Sequence, residues 1–133
     1  MAARRGSILW VDDEIDLLKS QIMFLEDRGY KVTPVSNGED AVGMVKEETF
    51  DLVLLDQMMP GLDGYQVLEN IRNRRATRNL PVVMLSAVAE PEAITRCFEL
   101  GADDYITKPF EAKELQIRVK NLIDQRRKLR GEL

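Results

Sequence analysis

Histidine is absent from all 133 residues. That excludes Ser-His-Asp and Cys-His catalysis, and any histidine metal site, within this chain. Cysteine is almost absent too. Cys97 stands alone, so no internal disulfide can form and a reducing cytoplasm is the expected home. Every apolar run breaks before the roughly 18 residues a membrane helix needs. The opening MAARRGS carries charge but no apolar stretch of secretory length. Neither GxxxxGK nor GxGxxG occurs, which removes the glycine-rich loop of a nucleotide switch. Nor is positive charge in excess: Lys+Arg 19 against Asp+Glu 23 gives a net charge of -4. A domain of that balance is not expected to bind nucleic acid or a membrane surface by itself.

What is present is regular. Five short apolar runs, ILWV (8–11), KVTPV (31–35), DLVLL (51–55), PVVML (81–85) and DYIT (104–107), alternate with helical patterns. Ile15, Leu18, Ile22 and Leu25 share one helical face, as do Val67, Leu68 and Ile71, and Leu115, Val119 and Leu122. Ala41, Val42 and Val45 do so more weakly. Ile94, Cys97 and Phe98 mark a further helix ended by Gly101, with Cys97 expected as a small buried hydrophobe. Met44, Met58 and Met59 read as packing residues. Strict alternation implies right-handed crossovers and a parallel sheet covered on both faces. The continuously apolar runs belong at its centre. KVTPV, with Pro34, and the short polar DYIT belong at its edges. The expected fold is therefore α/β: a doubly wound, five-stranded parallel sheet of order 2-1-3-4-5, flavodoxin-like. One domain accounts for the length, taken as residues 7–125, with 126–133 a basic tail or the start of a linker.

In such a sheet ligands bind beyond the carboxyl ends of the strands, at the switch in strand order. The first strand ends in Asp12, Asp13 and Glu14, and the third in Asp56. The fourth ends in Ser86 and Ala87, and the fifth in Thr107, Lys108 and Pro109. Carboxylates held together repel one another unless a cation sits among them. With oxygen donors only, Mg²⁺ is the natural occupant. Lys108 and the Ser86 hydroxyl are donors suited to phosphate oxygens. Taken singly, each residue has an ordinary reading: a helix cap for the DDE triplet (Glu14 above all), a turn for Asp56, a loop for Lys-Pro. It is their convergence on one rim that points to a metal-assisted phosphoryl site centred on an aspartate.

The stretches ILWVDDE, LVLLDQMMPGLDG, VVMLSA and GADDYITKPF together resemble the receiver domain of bacterial two-component response regulators, over roughly residues 7 to 125. The resemblance implies that Asp56 accepts a phosphoryl group from a phosphohistidine on a sensor histidine kinase. Asp13, Asp56 and the backbone carbonyl of Met58 would bind Mg²⁺ directly, and Asp12 through water. Lys108 would contact the phosphoryl oxygens, presented by a cis Lys108–Pro109 bond. Ser86 would be the switch hydroxyl and Tyr105 the switch aromatic, rotating inward as the surface of the fourth helix, fifth strand and fifth helix changes. Gly61 and Gly64 would serve the turn after the third strand. Met58 and Val88 stand where this family admits or excludes hydrolytic water. Asp104 and Arg118 match an intermolecular ion pair of one group of DNA-binding regulators, so a homodimer formed on phosphorylation is a possible partner state; Ile94 and Gln125 depart from that group. The plainer alternatives are a half-exposed edge aromatic for Tyr105 and solvated charges for the pair.

Two rival functions remain to be weighed. An aspartyl phosphatase of the haloacid-dehalogenase kind would need a second aspartate two positions after the nucleophile, where Met58 stands. A degenerate receiver acting only as a binding module would have lost an acidic residue or the lysine, and none is lost.

Overall fold

The computed structural model describes residues 5–131. Its strands are β1 (Gly6–Val11), β2 (Tyr30–Val35), β3 (Leu52–Asp56), β4 (Val82–Ser86) and β5 (Asp104–Thr107). They are separated by α1 (Lys19–Asp27), α2 (Gly38–Glu47), α3 (Gly64–Asn73) and α4 (Pro91–Glu99), with α5 (Ala112–Leu129) last. All pairings are parallel and the sheet order is β2-β1-β3-β4-β5. Pro34 lies on an edge strand, as its missing N–H requires. No helix among the described residues is long and apolar enough to cross a membrane.

The unbroken apolar runs are explained by burial on both faces. Leu9, Val11, Val53, Leu55, Val82 and Met84 point into a core beneath α2, α3 and α4. Their neighbours Ile8, Trp10, Leu52, Leu54, Val83 and Leu85 point the other way, beneath α1 and α5. Each fully buried valine or leucine is worth roughly 1.5–3 kcal/mol. Val53, Leu54 and Leu55 therefore clamp β3 between the two cores and hold the end of that strand in place. β3 and β4 each extend one residue past the apolar run, so Asp56 and Ser86 are the last ladder residues of these two interior strands.

Several local expectations change. Ile15 to Leu18 form a 3₁₀ turn, not the start of α1, because Ile15 N–H bonds back to the Asp12 carbonyl at 3.1 Å. On α5 the buried third position is Ile123, with Leu122 only partly covered. Phe98 is 46% exposed, leaving Cys97 as the buried residue of α4. Met59 packs in the core, whereas Met58 is 65% exposed. The basic segment from Arg126 continues α5 to Leu129; residues 132–133 of that tail, and 1–4 of MAARRGS, lie outside the described residues.

Candidate functional site

Asp56 ends β3 with its side chain almost wholly buried, and Asp12 leaves β1 directly beside it. Asp12 is held from two sides. One oxygen accepts from the Glu14 N–H at 2.9 Å, the other from Lys108 Nζ at 2.8 Å. Lys108 Nζ also reaches Asp56 at 3.3 Å. Asp13 is exposed, but one oxygen from each of Asp12, Asp13 and Asp56 lies within 4.8 Å of the others. Glu14 occupies the cap position of the 3₁₀ turn, yet its side chain makes no cap hydrogen bond. Its contribution to the rim is the backbone N–H that orients Asp12.

The electrostatics follow from this crowding. Burial, and then the Asp12 charge, push the Asp56 carboxyl from 3.8 up to about 6, against the pull of Lys108. Burial draws Lys108 down, but its bonds to Asp12 and the Asp56 charge outweigh that and leave it raised, firmly an ammonium. The arrangement holds more negative charge than one ammonium neutralises. An all-oxygen donor set of this compactness could hold a metal ion, and its chemistry fits a hard divalent cation.

The surrounding loops are built to keep this geometry. The Lys108–Pro109 bond is cis, and the Lys108 N–H donates to the Ser86 carbonyl at 2.8 Å, joining β5 to β4 at the rim. Ser86 Oγ accepts from the Val88 N–H at 3.0 Å. A Cβ on Gly64 would collide with the Asp56 carbonyl oxygen and lie 2.7 Å from Gln57 Cα, so only glycine fits there. Gly61 has φ +74°, the left-handed region. Asp63 then caps α3 reciprocally with Gln66.

A family model for the response regulator receiver domain matches residues 8–120. The chain belongs to that family. The receiver domain is 43% identical over 116 residues to the transcriptional regulatory protein ResD of Bacillus subtilis, covering 87% of this chain and 47% of ResD. It is 43% identical over 118 residues to the phosphate regulon regulator PhoB of Escherichia coli, covering 89% and 51%. The chain thus spans about half the length of the curated relatives it matches. Among solved structures, a response regulator of Chloroflexus aurantiacus superposes with TM-score 0.84 at 35% identity, covering 90% of this chain and 98% of that one. The receiver domain of the sensor histidine kinase PA1611 of Pseudomonas aeruginosa superposes with TM-score 0.82 at 32% identity, covering 92% and 99%; that structure has magnesium in its active-site cleft.

Three sequence-predicted residues have partners of their own within the chain. Tyr105 already faces the interior: its ring packs against the α2–α3–α4 core, and its hydroxyl meets Gln57 Oε1 at 2.9 Å and the Val88 carbonyl. Asp104 and Arg118 pair with each other inside the chain, Nη1 lying 2.8 and 2.9 Å from the two carboxylate oxygens. Sequence reasoning passed over Gln57, which is buried. The available signal was a lone amide directly after a strand-end aspartate in an otherwise apolar stretch.

Proposed function

We propose that this receiver domain is a phosphorylation switch in which Asp56 accepts a phosphoryl group from a phosphohistidine on a sensor histidine kinase in the cytoplasm. The observation that carries the reading is the Lys108 ammonium bridging Asp12 and Asp56 at the mouth of a three-carboxylate cluster. Asp13, Asp56 and the Met58 backbone carbonyl would hold Mg²⁺ directly, with Asp12 bound through water. Bound there, Mg²⁺ would supply charge neutralisation for the transferring phosphoryl group.

The chain's own residues account for the rest. An ionised Asp56 oxygen attacks phosphorus, a new O–P bond forms, and the N–P bond to the kinase imidazole breaks with its electron pair returning to nitrogen. Lys108, already between the two carboxylates, follows the phosphoryl oxygens. The acyl phosphate carries about −1.5 to −2 charges, by analogy with other phosphorylated side chains, in place of the single charge of the Asp56 carboxylate, and it sets them on three new oxygens further out in the site. The Ser86 hydroxyl then donates to that charge, and its movement disturbs the Val88 segment on which Tyr105 rests. The surface of α4, β5 and α5 shifts as a population change between two packings. A groove of about 380 Å³, lined by Leu17, Leu18, Pro109 and Phe110 beside Asp12 and Lys108, suits an apolar partner helix that carries the phosphodonor. For a second copy bound through α4-β5-α5, exchanging the Asp104–Arg118 pair between chains would add no ion pairs. Exposed Phe98 and Ile117 would have to supply the affinity.

Label should pass from an autophosphorylated histidine kinase to this chain and fail to reach Asp56→Asn; transfer at an equal rate to that variant overturns the reading. A second expectation concerns lifetime. Met58 and Val88 flank the site with apolar side chains that cannot orient water. The phosphorylated protein should lose its label slowly, and the Met58→Asn, Val88→Glu double variant roughly ten-fold faster, less than the about 10²–10⁴ of a full general acid or base because these groups would only orient water. Equal decay curves for the two proteins would count against this role.

A further inference from the structure

We propose that Gln57 is a positioning residue that latches Tyr105 against the segment between β4 and α4 before any phosphoryl group arrives, and so sets the resting shape of the α4-β5 surface. The inference concerns the unphosphorylated chain and goes beyond phosphoryl acceptance. Gln57 is 5% exposed, and a buried amide is costly unless its polar atoms are satisfied. Here they are satisfied by two tyrosines. Nε2 donates to the Tyr65 hydroxyl, and Oε1 accepts from the Tyr105 hydroxyl at 2.9 Å.

Each tyrosine is in turn tied elsewhere. The Arg96 guanidinium of α4 lies 4.0 Å over the Tyr65 ring of α3. The Tyr105 hydroxyl also faces the Val88 carbonyl, and Val88 N–H donates to Ser86 Oγ. A phenol has one proton, so Gln57 Oε1 and the Val88 carbonyl share it, and either bond keeps the ring turned inward. Gln57 follows Asp56 directly in the chain, and its own backbone N–H is fixed to the Leu85 carbonyl at 3.1 Å. The amide is thus anchored to β4 and bonded to α3 and β5, with α4 reached through Tyr65. Without it, Tyr105 would keep only the Val88 carbonyl and its contact with the Ser86 side chain, and the Tyr65 hydroxyl would lose its donor.

The test is NMR on the unphosphorylated protein with ring-labelled tyrosine, so its outcome is independent of whether Asp56 is ever phosphorylated. Tyr30, Tyr65 and Tyr105 are assigned by Tyr→Phe variants. In the wild-type protein the Tyr105 ring should show contacts to Val88 and a slowly exchanging hydroxyl proton. Gln57→Met, nearly isosteric but apolar, should weaken those contacts and speed hydroxyl exchange at least ten-fold, with Tyr30 unchanged. Amide shifts from Cys97 to Asp104 should move in Gln57→Met, and should not move further when the same change is made in a Tyr105→Phe background. A purely structural role for Gln57 would move them equally in both backgrounds. Gln57→Asn, which keeps the amide but falls one methylene short, is the second variant should Met disturb folding, and it should loosen Tyr105 in the same way. Tyr105 contacts and exchange unchanged in a folded Gln57 variant, or equal shift changes with and without the Tyr105 hydroxyl, overturn the proposal.

Discussion

Incubated with a small phosphodonor such as acetyl phosphate and Mg²⁺, the protein should gain one phosphoryl group, at Asp56, with no kinase present. The expectation rests on where the catalytic groups sit. Charge on the transferring group must be met by fixed counter-charge, and the Lys108 ammonium already lies 3.3 Å from the attacking carboxylate. Preorganised charge of this kind is worth about 10²–10³ in rate when one donor is removed. Lys108→Met should therefore slow labelling by roughly that factor, and EDTA should abolish it by removing the divalent cation that the three carboxylates would hold. Asp56→Asn lacks the nucleophile and should take no label at all. Intact-mass measurement over time reads all three. Labelling that survives in Asp56→Asn would remove the acceptor from the account, and labelling indifferent to EDTA would remove the metal.

The second large effect is on stability. In the folded, metal-free protein the Asp56 carboxyl titrates near 6, above its ordinary value of 3.8, because of burial and the adjacent Asp12. A raised carboxyl pKa means that the folded state binds that proton more tightly than the unfolded chain does. Its contribution to stability is fully present below pH 3.8 and is lost as pH rises towards 6. Above that window the ionised Asp56 costs up to about 3 kcal/mol. Asp56→Asn, which cannot ionise, should be more stable than wild type in EDTA at pH 7.5 by about 1–3 kcal/mol, while Lys108 keeps its bond to Asp12. The difference should shrink below pH 4. Mg²⁺ should then stabilise wild type in proportion to the logarithm of its concentration, and the variant much less. Denaturant melts at both pH values check the sign. A wild-type protein that outlasts Asp56→Asn in EDTA at pH 7.5 contradicts it.

Much of this was legible in the chain because the carriers of information were local. Two central strands buried on both faces must be apolar at every position, so ILWV and DLVLL read directly as β1 and β3, and their ends read as the rim. Pro34 at an edge, Asp12, Asp13 and Asp56 on one side, and Lys108 opposite them follow from strand order alone. Periodicity was weaker at helix ends. It could not separate Leu122 from Ile123, because adjacent positions on a helix differ by only 100° and packing against β1 and β3 decides which is buried. It also could not see that the chain leaves β1 in a 3₁₀ turn.

Sequence by itself determined the sheet, its order and the acidic rim, since these depend on which residues tolerate burial and where strands stop. Only the tertiary structure decided what side chains from distant elements do to each other. Asp104 and Arg118 lie fourteen positions apart and pair within one chain. Gln57 and Tyr105 lie forty-eight positions apart and meet because parallel pairing brings β3, β4 and β5 level at the rim. A buried amide must find partners wherever the fold supplies them, and no local pattern names those partners in advance.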